Sequence, residues 1–106
     1  MTPPRRILPR DAALADFDAI YDFLANQASE AKTIEVLRGL DRAIQLLSDQ
    51  PRLGRPYEHR GHTLRVLTHG DYRVFYREQG ADIDLLRVID ARRHLPDVLD
   101  ELDGLL

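Results

Sequence analysis

His62–Ile89 reads HTLRVLTHGDYRVFYREQGADIDLLRVI, and its period decides the fold. Side chains alternate across a strand with a period of two. Over Thr63–Thr68, Leu64 and Val66 share one face while Arg65 and Leu67 share the other. His69–Gly70–Asp71 is a turn signal, and beyond it Tyr72, Val74 and Tyr76 oppose Arg73, Phe75 and Arg77. Gln79–Gly80 marks a second tight turn. Ile83–Ile89 is a denser apolar run, which suits a central strand covered on both sides. Turns this short join antiparallel neighbours, so these three strands should form a meander.

Upstream the apolar period lengthens to that of a helix. Leu14, Phe17, Ile20, Tyr21, Leu24 and Ala28 make one stripe, and Ile34, Leu37, Leu40, Ile44 and Leu47 a second. Asp11 is expected to cap the first helix. The break near Asn26–Ser29 is short, so the two helices should pair as an antiparallel hairpin. Gly39 weakens the second helix by roughly 1 kcal/mol relative to Ala, unless a neighbour packs too closely for a side chain. Pro51 ends that helix and opens a loop to Pro56. Arg5–Pro9, lying between prolines, reads as an edge strand. Residues 95–106 read as a short acidic helix with Val98, Leu99 and Leu102 on its apolar side. The expected architecture is a single α+β domain over residues 1–106, a two-layer sandwich with the helix hairpin on one sheet face.

Composition narrows the chemistry. The 106 residues include no cysteine, which excludes disulfides, thiolate catalysis and Cys-based zinc sites. No apolar run is long enough for a membrane helix, and the opening MTPPRRILPR lacks the apolar centre of a secretory signal. A cytoplasmic protein without a membrane partner is expected. Charge is uneven: residues 52–94 hold nine arginines against six acids, and all four histidines, while residues 95–106 hold four acids and no base. Fourteen of the fifteen basic residues are arginine, whose planar fork suits carboxylate and phosphate. A surface for a negatively charged partner therefore belongs to the second half, although solvated strand-face arginines would look the same. No Walker or Rossmann glycine pattern occurs, so no cofactor is expected. His59 and His62 are spaced i,i+3 beside Gly61 in what reads as a loop, with no third ligand in view, so no metal is expected either.

Several segments in order resemble a known family. Ala43–Leu47 (AIQLL) leads into Pro51–Gly54 (PRLG). Then come Leu64–Leu67 (LRVL), Tyr72–Arg77 (YRVFYR) and Leu86–Arg93 (LRVIDARR), with Asp16–Phe17 and Ile20–Tyr21 in the first helix. From about residue 6 to residue 100 this order resembles the ParE/RelE superfamily of bacterial toxins, the toxin halves of type II toxin–antitoxin modules. The resemblance implies one of two activities. RelE-like members cleave mRNA on the ribosome, which requires groups that move protons as well as cations. Arg73 and Arg93 match the cationic positions, but the strand around Arg65 has no Lys or Glu, and Leu99 stands where a terminal tyrosine would fall. His69 and His94 are the remaining candidates for proton transfer. ParE-like members instead poison DNA gyrase by binding it. The arginine-rich second half and VIDARRHLPDVL resemble that branch more, although Asp90 and Ala91 stand where such chains often have His and Gly.

The expected binding residues are Arg65, Arg73, Arg77, Arg92, Arg93 and His94, with no catalytic residue. The resemblance further implies a cognate, ParD-like antitoxin with a DNA-binding head and a flexible acidic and apolar tail. Homodimer and toxin–antitoxin hetero-oligomer are both left open. Tyr21, Leu24, Leu40 and Leu47 are candidates for the antitoxin groove, with burial in the core as the competing reading of each.

Overall fold

The structure, a computed structural model, describes residues 3–106. In chain order it holds β1 (Arg6–Pro9), α1 (Asp11–Gln27), α2 (Glu30–Gln45), a 3-10 turn (Leu46–Ser48), β2 (Arg55–His59), β3 (His62–His69), β4 (Tyr72–Gln79), β5 (Asp82–Asp90), α3 (Leu95–Glu101) and a closing 3-10 turn (Leu102–Leu105). One sheet of order β1-β5-β4-β3-β2 contains every strand. β1 runs parallel to β5 at the edge, and the remaining pairs are antiparallel.

The expected hairpin, edge strand and meander are all present, with one strand added. The meander has four strands, because Arg55–His59, expected in part as loop, pairs with β3. Arg60 (φ 51°) and Gly61 (φ 82°) form the two-residue connection, both in the left-handed region that tight hairpins require. His59 and His62 thus face each other across a hairpin rather than lying in a loop. Pro56 obscured the strand, yet proline is permitted on an edge such as this one.

α1 begins differently from its expected cap. Arg10 occupies the N-cap position without a side-chain cap bond, and Asp11 sits one place inside, where its charge meets the helix dipole. α2 is capped by Ser29, whose Oγ accepts from the Lys32 N–H at 3.1 Å. α1 is also rotated relative to its expected stripe. Ala13 and Ile20 are buried, with Phe17 and Leu24 packed beside them, while Leu14 and Tyr21 are each 48% exposed.

Two apolar clusters lie on opposite sheet faces. The first joins Ile20, Leu40 and Ile44 of the hairpin, and Leu47 of the 3-10 turn after it, to Val74, Tyr76, Ile83, Leu85 and Val88. The second joins Leu64, Val66, Phe75, Leu86 and Ile89 to Val98 and Leu102, so the C-terminal helix adds a partial third layer to the expected two. A bulge in β5 makes this possible. Phe75 pairs with Arg87 and Tyr76 with Leu85, leaving Leu86 unpaired. The alternation shifts there, which is how adjacent Leu85 and Leu86 serve different cores.

Tyr76 fastens the loop between α2 and β2. Its fully buried hydroxyl donates to the Pro51 carbonyl and accepts from the Gly54 N–H, each at 2.8 Å. A Cβ on Gly54 would fall 2.7 Å from that hydroxyl, so the close approach requires glycine. Tyr76→Phe leaves two backbone groups without a partner and is expected to cost roughly 1–3 kcal/mol in chemical denaturation. A change below a few tenths would contradict this role. Gly39 has its neighbour as well: a Cβ there would lie 3.3 Å from His69 Nε2.

Candidate functional site

The expected binding arginines fall into separate groups. Arg77 is mostly buried and donates to Asp84 at 3.0 Å; Arg10 grips the same carboxylate with two bonds of 2.8 and 2.9 Å. Burial alone would push the Asp84 carboxyl up, but the bonds from Arg10 and Arg77 outweigh it and hold its pKa below the usual value. This triad links the junction of β1 and α1 to β4 and β5, so Arg77 has a structural partner rather than an open surface position. Arg65 donates to the carbonyls of Gly54 (2.9 Å) and Arg52 (3.3 Å), supporting the same loop that Tyr76 holds. Arg73 lies on the α3 face of the sheet, with one long bond of 3.4 Å to the Arg93 carbonyl.

Arg92 and Arg93 come together with a residue that sequence reasoning missed, Arg87. All three line a cleft of about 260 Å³ between α1 and the end of β5. Its apolar surface comes from Ala19, Ile20, Phe23, Tyr72, Val88 and Ile89, and Asp16 and Asp90 complete it. Arg87 donates to both Asp16 oxygens at 2.7 and 2.8 Å. One of those oxygens also accepts from the Val88 N–H at 2.9 Å. β1 pairs with β5 only as far as Leu85, so the Asp16 carboxylate takes over part of the edge that β1 vacates. The signal for this pair was present: a lone Arg inside LLRVI and an Asp one residue before Phe17 are both costly without a partner.

Arg92 and Asp90 form a fork, with bonds of 3.0 and 2.7 Å, and the Arg92 N–H adds a third at 2.8 Å. These bonds lower the Asp90 carboxyl to about 2. Arg93 bonds Glu101 of α3, which also lies 3.6 Å from Arg87; the Arg93 bond holds the Glu101 carboxyl below its usual range. Burial, then the charges of Asp90 and Asp71, push the Tyr72 phenol up. The cleft therefore offers guanidinium donors, ionised carboxylates already bonded to them, and a phenol that keeps its proton.

The other expected residues lie elsewhere. His94 takes the N-cap position of α3 without a side-chain cap bond. Leu99, at the tail position, packs on the second core cluster. Leu40 and Leu47 are fully buried inside the chain, which removes them as groove residues, and Leu24 packs partly against the same core. Of the four groove candidates Tyr21 alone is an exposed large side chain. His59, Asp100 and Asp103 bring three ligand atoms within 4.8 Å of one another. Arg60 already bonds Asp103 and lies 3.6 Å from Asp100, so a guanidinium meets that negative charge.

Residues 7–95 match the family described as the ParE toxin of the type II toxin–antitoxin system parDE. The chain belongs to the ParE toxin family. It is 29% identical over 87 residues to Toxin ParE1 of Caulobacter vibrioides, covering 78% of this chain and 90% of that one. With Toxin ParE1 of Mycobacterium tuberculosis it shares 32% over 88 residues, covering 82% and 90%. Among solved structures, a chromosomal ParDE system from P. aeruginosa superposes with a TM-score of 0.71 at 26% identity, over 81% of this chain and 95% of that one. The RelBE2 complex of M. tuberculosis shares the fold, with a TM-score of 0.56 at 21% identity over 82% and 98%. The ParE/RelE superfamily that the strand order resembles is therefore the right one, and the chain is the toxin of a ParDE-type module.

Proposed function

We propose that this ParE-family chain acts in the cytoplasm by binding DNA gyrase rather than by cutting RNA, and that a cognate antitoxin neutralises it. The observation that carries the reading is how the arginines are used. Arg87, Arg92 and Arg93 are each paired to a carboxylate, while Arg73 has one long bond, to the Arg93 carbonyl. Cutting RNA at a 2′-hydroxyl needs a base poised near neutrality. The carboxylates paired with Arg92 and Arg93 are instead held low, and among the described residues no histidine lines the cleft. Leu99 can neither give nor take a proton. A surface of forked donors beside exposed apolar side chains suits recognition of another protein.

Two assays with purified chain test this. Incubation with gyrase and supercoiled plasmid is expected to accumulate cleaved DNA at micromolar toxin, and added antitoxin to abolish it. Primer extension on mRNA from a translating extract is expected to show no toxin-dependent cuts. Codon-phased cuts with no gyrase effect would establish the RNase activity and overturn the reading.

A further inference from the structure

The α1–β5 cleft is neutral in sum, since Asp16, Asp90 and Glu101 balance Arg87, Arg92 and Arg93. On the outward face of the helix hairpin the charges are instead unpaired and sorted by helix. Among the described residues, no ion pair reaches Asp11, Asp18 or Asp22 of α1, or Arg38 or Arg42 of α2. All five are exposed. At 3.6 residues per turn, the three acids fall on the side of α1 away from buried Ala13 and Ile20. The two arginines fall on the side of α2 away from buried Leu40 and Ile44. Asp18 and Asp22 are spaced i,i+4, as are Arg38 and Arg42, so each helix carries a like-charge pair that repels without relief. Glu35 and Asp41 flank the arginines, and Glu35 lies 3.8 Å from Lys32.

An apolar seam runs between the acidic and basic rows. The flank of α1 with Asp16, Ala19 and Phe23 faces β5, which puts Leu14 and Tyr21 on the flank toward α2. The flank of α2 with Gly39 and Leu46 faces the β3–β4 turn, which puts Ile34 on the flank toward α1. Leu14 and Tyr21 are each 48% exposed, and Ile34 is 38% exposed.

We infer that this face binds a second copy of the chain about a twofold axis running along the seam. That axis lays α1 of each protomer over α2 of its partner, antiparallel to it, so the acids of one helix meet the arginines of the other twice. The matched i,i+4 spacing lets both charges of a row engage at once. Leu14, Tyr21 and Ile34 are covered in the same contact, which shields the new ion pairs from water. Charge order selects this occupant. A uniformly acidic partner that reached Arg38 and Arg42 would be repelled by Asp18 and Asp22, and a basic one would meet the reverse. The inference does not depend on gyrase being the target.

Sedimentation equilibrium on the purified full chain tests it. Wild type is expected to be dimeric at about 100 μM in low salt, and its dissociation constant to rise about tenfold in about 0.5 M salt. The double variant Asp18→Arg with Asp22→Arg, and the double variant Arg38→Asp with Arg42→Asp, each set like charge against like. Each should weaken self-association at least about tenfold while keeping the wild-type urea midpoint. Mixing the two double variants should restore association, because both rows are then opposite in sign across the axis. Arg55→Asp, on β2 and away from the hairpin, should dimerise as wild type does. Wild type that is monomeric at that concentration in low salt overturns the inference. So does self-association that survives both double variants, or a mixture that stays monomeric after each has lost it. If wild type is monomeric and the same variants abolish binding of the antitoxin, the face belongs to the antitoxin and not to a second copy.

Discussion

Leu102→Ala is expected to lower the stability of the chain by about 2–5 kcal/mol. Leu102 is completely buried, and it belongs to the cluster that covers Leu64, Phe75 and Leu86 on the α3 face of the sheet. Deleting its side chain opens a cavity where C-terminal residues meet β3, β4 and β5. A domain of this size has on the order of 5–15 kcal/mol in total, so the loss is a large fraction. Leu46→Ala, at a position 50% exposed, is the comparison and should cost less than about 1 kcal/mol. Urea denaturation of the two variants decides the matter. Equal midpoints would mean that the C-terminal segment is a loosely held appendage. Residues 95–106 read as an acidic helix with one apolar side, and the structure buries Val98 and Leu102 of that side in the core.

Asp84→Asn is expected to cost roughly 2–3 kcal/mol at neutral pH, because it removes the one charge shared by Arg10 and Arg77. The magnitude is set below that of a fully buried pair because Arg10 keeps 37% of its side chain in water. Asp82→Asn, which breaks an outer pair to an Arg6 side chain 76% exposed, should cost at most about 1 kcal/mol. The Asp84 effect also depends on acid. Its folded pKa lies below the ordinary value of 3.8, so its contribution is complete above about pH 4 and is lost as pH falls through the folded value. Asp90, lowered to about 2 by its bonds from Arg92, loses its contribution between about pH 4 and pH 2. The gap between wild type and Asp84→Asn should therefore narrow as urea midpoints are followed from pH 7 toward pH 2. A gap that stays constant over that range would mean Asp84 is not held ionised by its arginines.

Much of the architecture was legible because it rests on local pattern. The two-residue alternation from Thr63 to Arg77 placed each residue on its observed face, since a strand offers only two directions. The helix hairpin followed from two stripes and a short break. Its exact rotation did not: Leu14 and Ala13 are adjacent and both apolar, and which one faces the sheet depends on how α1 docks rather than on α1 itself. β2 was hidden because RPYEH contains one proline, two charges and a single large apolar residue, and it became a strand only by pairing with β3.

The candidate site was legible in composition and much less so in detail. That the arginines concentrate in the second half, and that Arg92 and Arg93 are neighbours, could be read directly; the structure places both on one cleft. Arg77 and Arg65 carry the same charge in the same kind of strand, yet one is bound to Asp84 and the other to loop carbonyls. Charge counts along a chain contain no information about which carboxylate will stand within 3 Å. Arg87 joins the cleft because Asp16, 71 positions away, reaches it from α1.

The sequence by itself therefore determined the elements other than β2, their order, the superfamily and the sign of the charge on the second half, because period, turn residues and composition are local properties. Tertiary structure alone decided which leucines became core, which arginines were already spoken for, that Leu85 and Leu86 part company at a bulge, and that an acidic tail returns to the sheet. Those outcomes turn on contacts between residues distant in the chain, whose geometry exists only once the layers are packed.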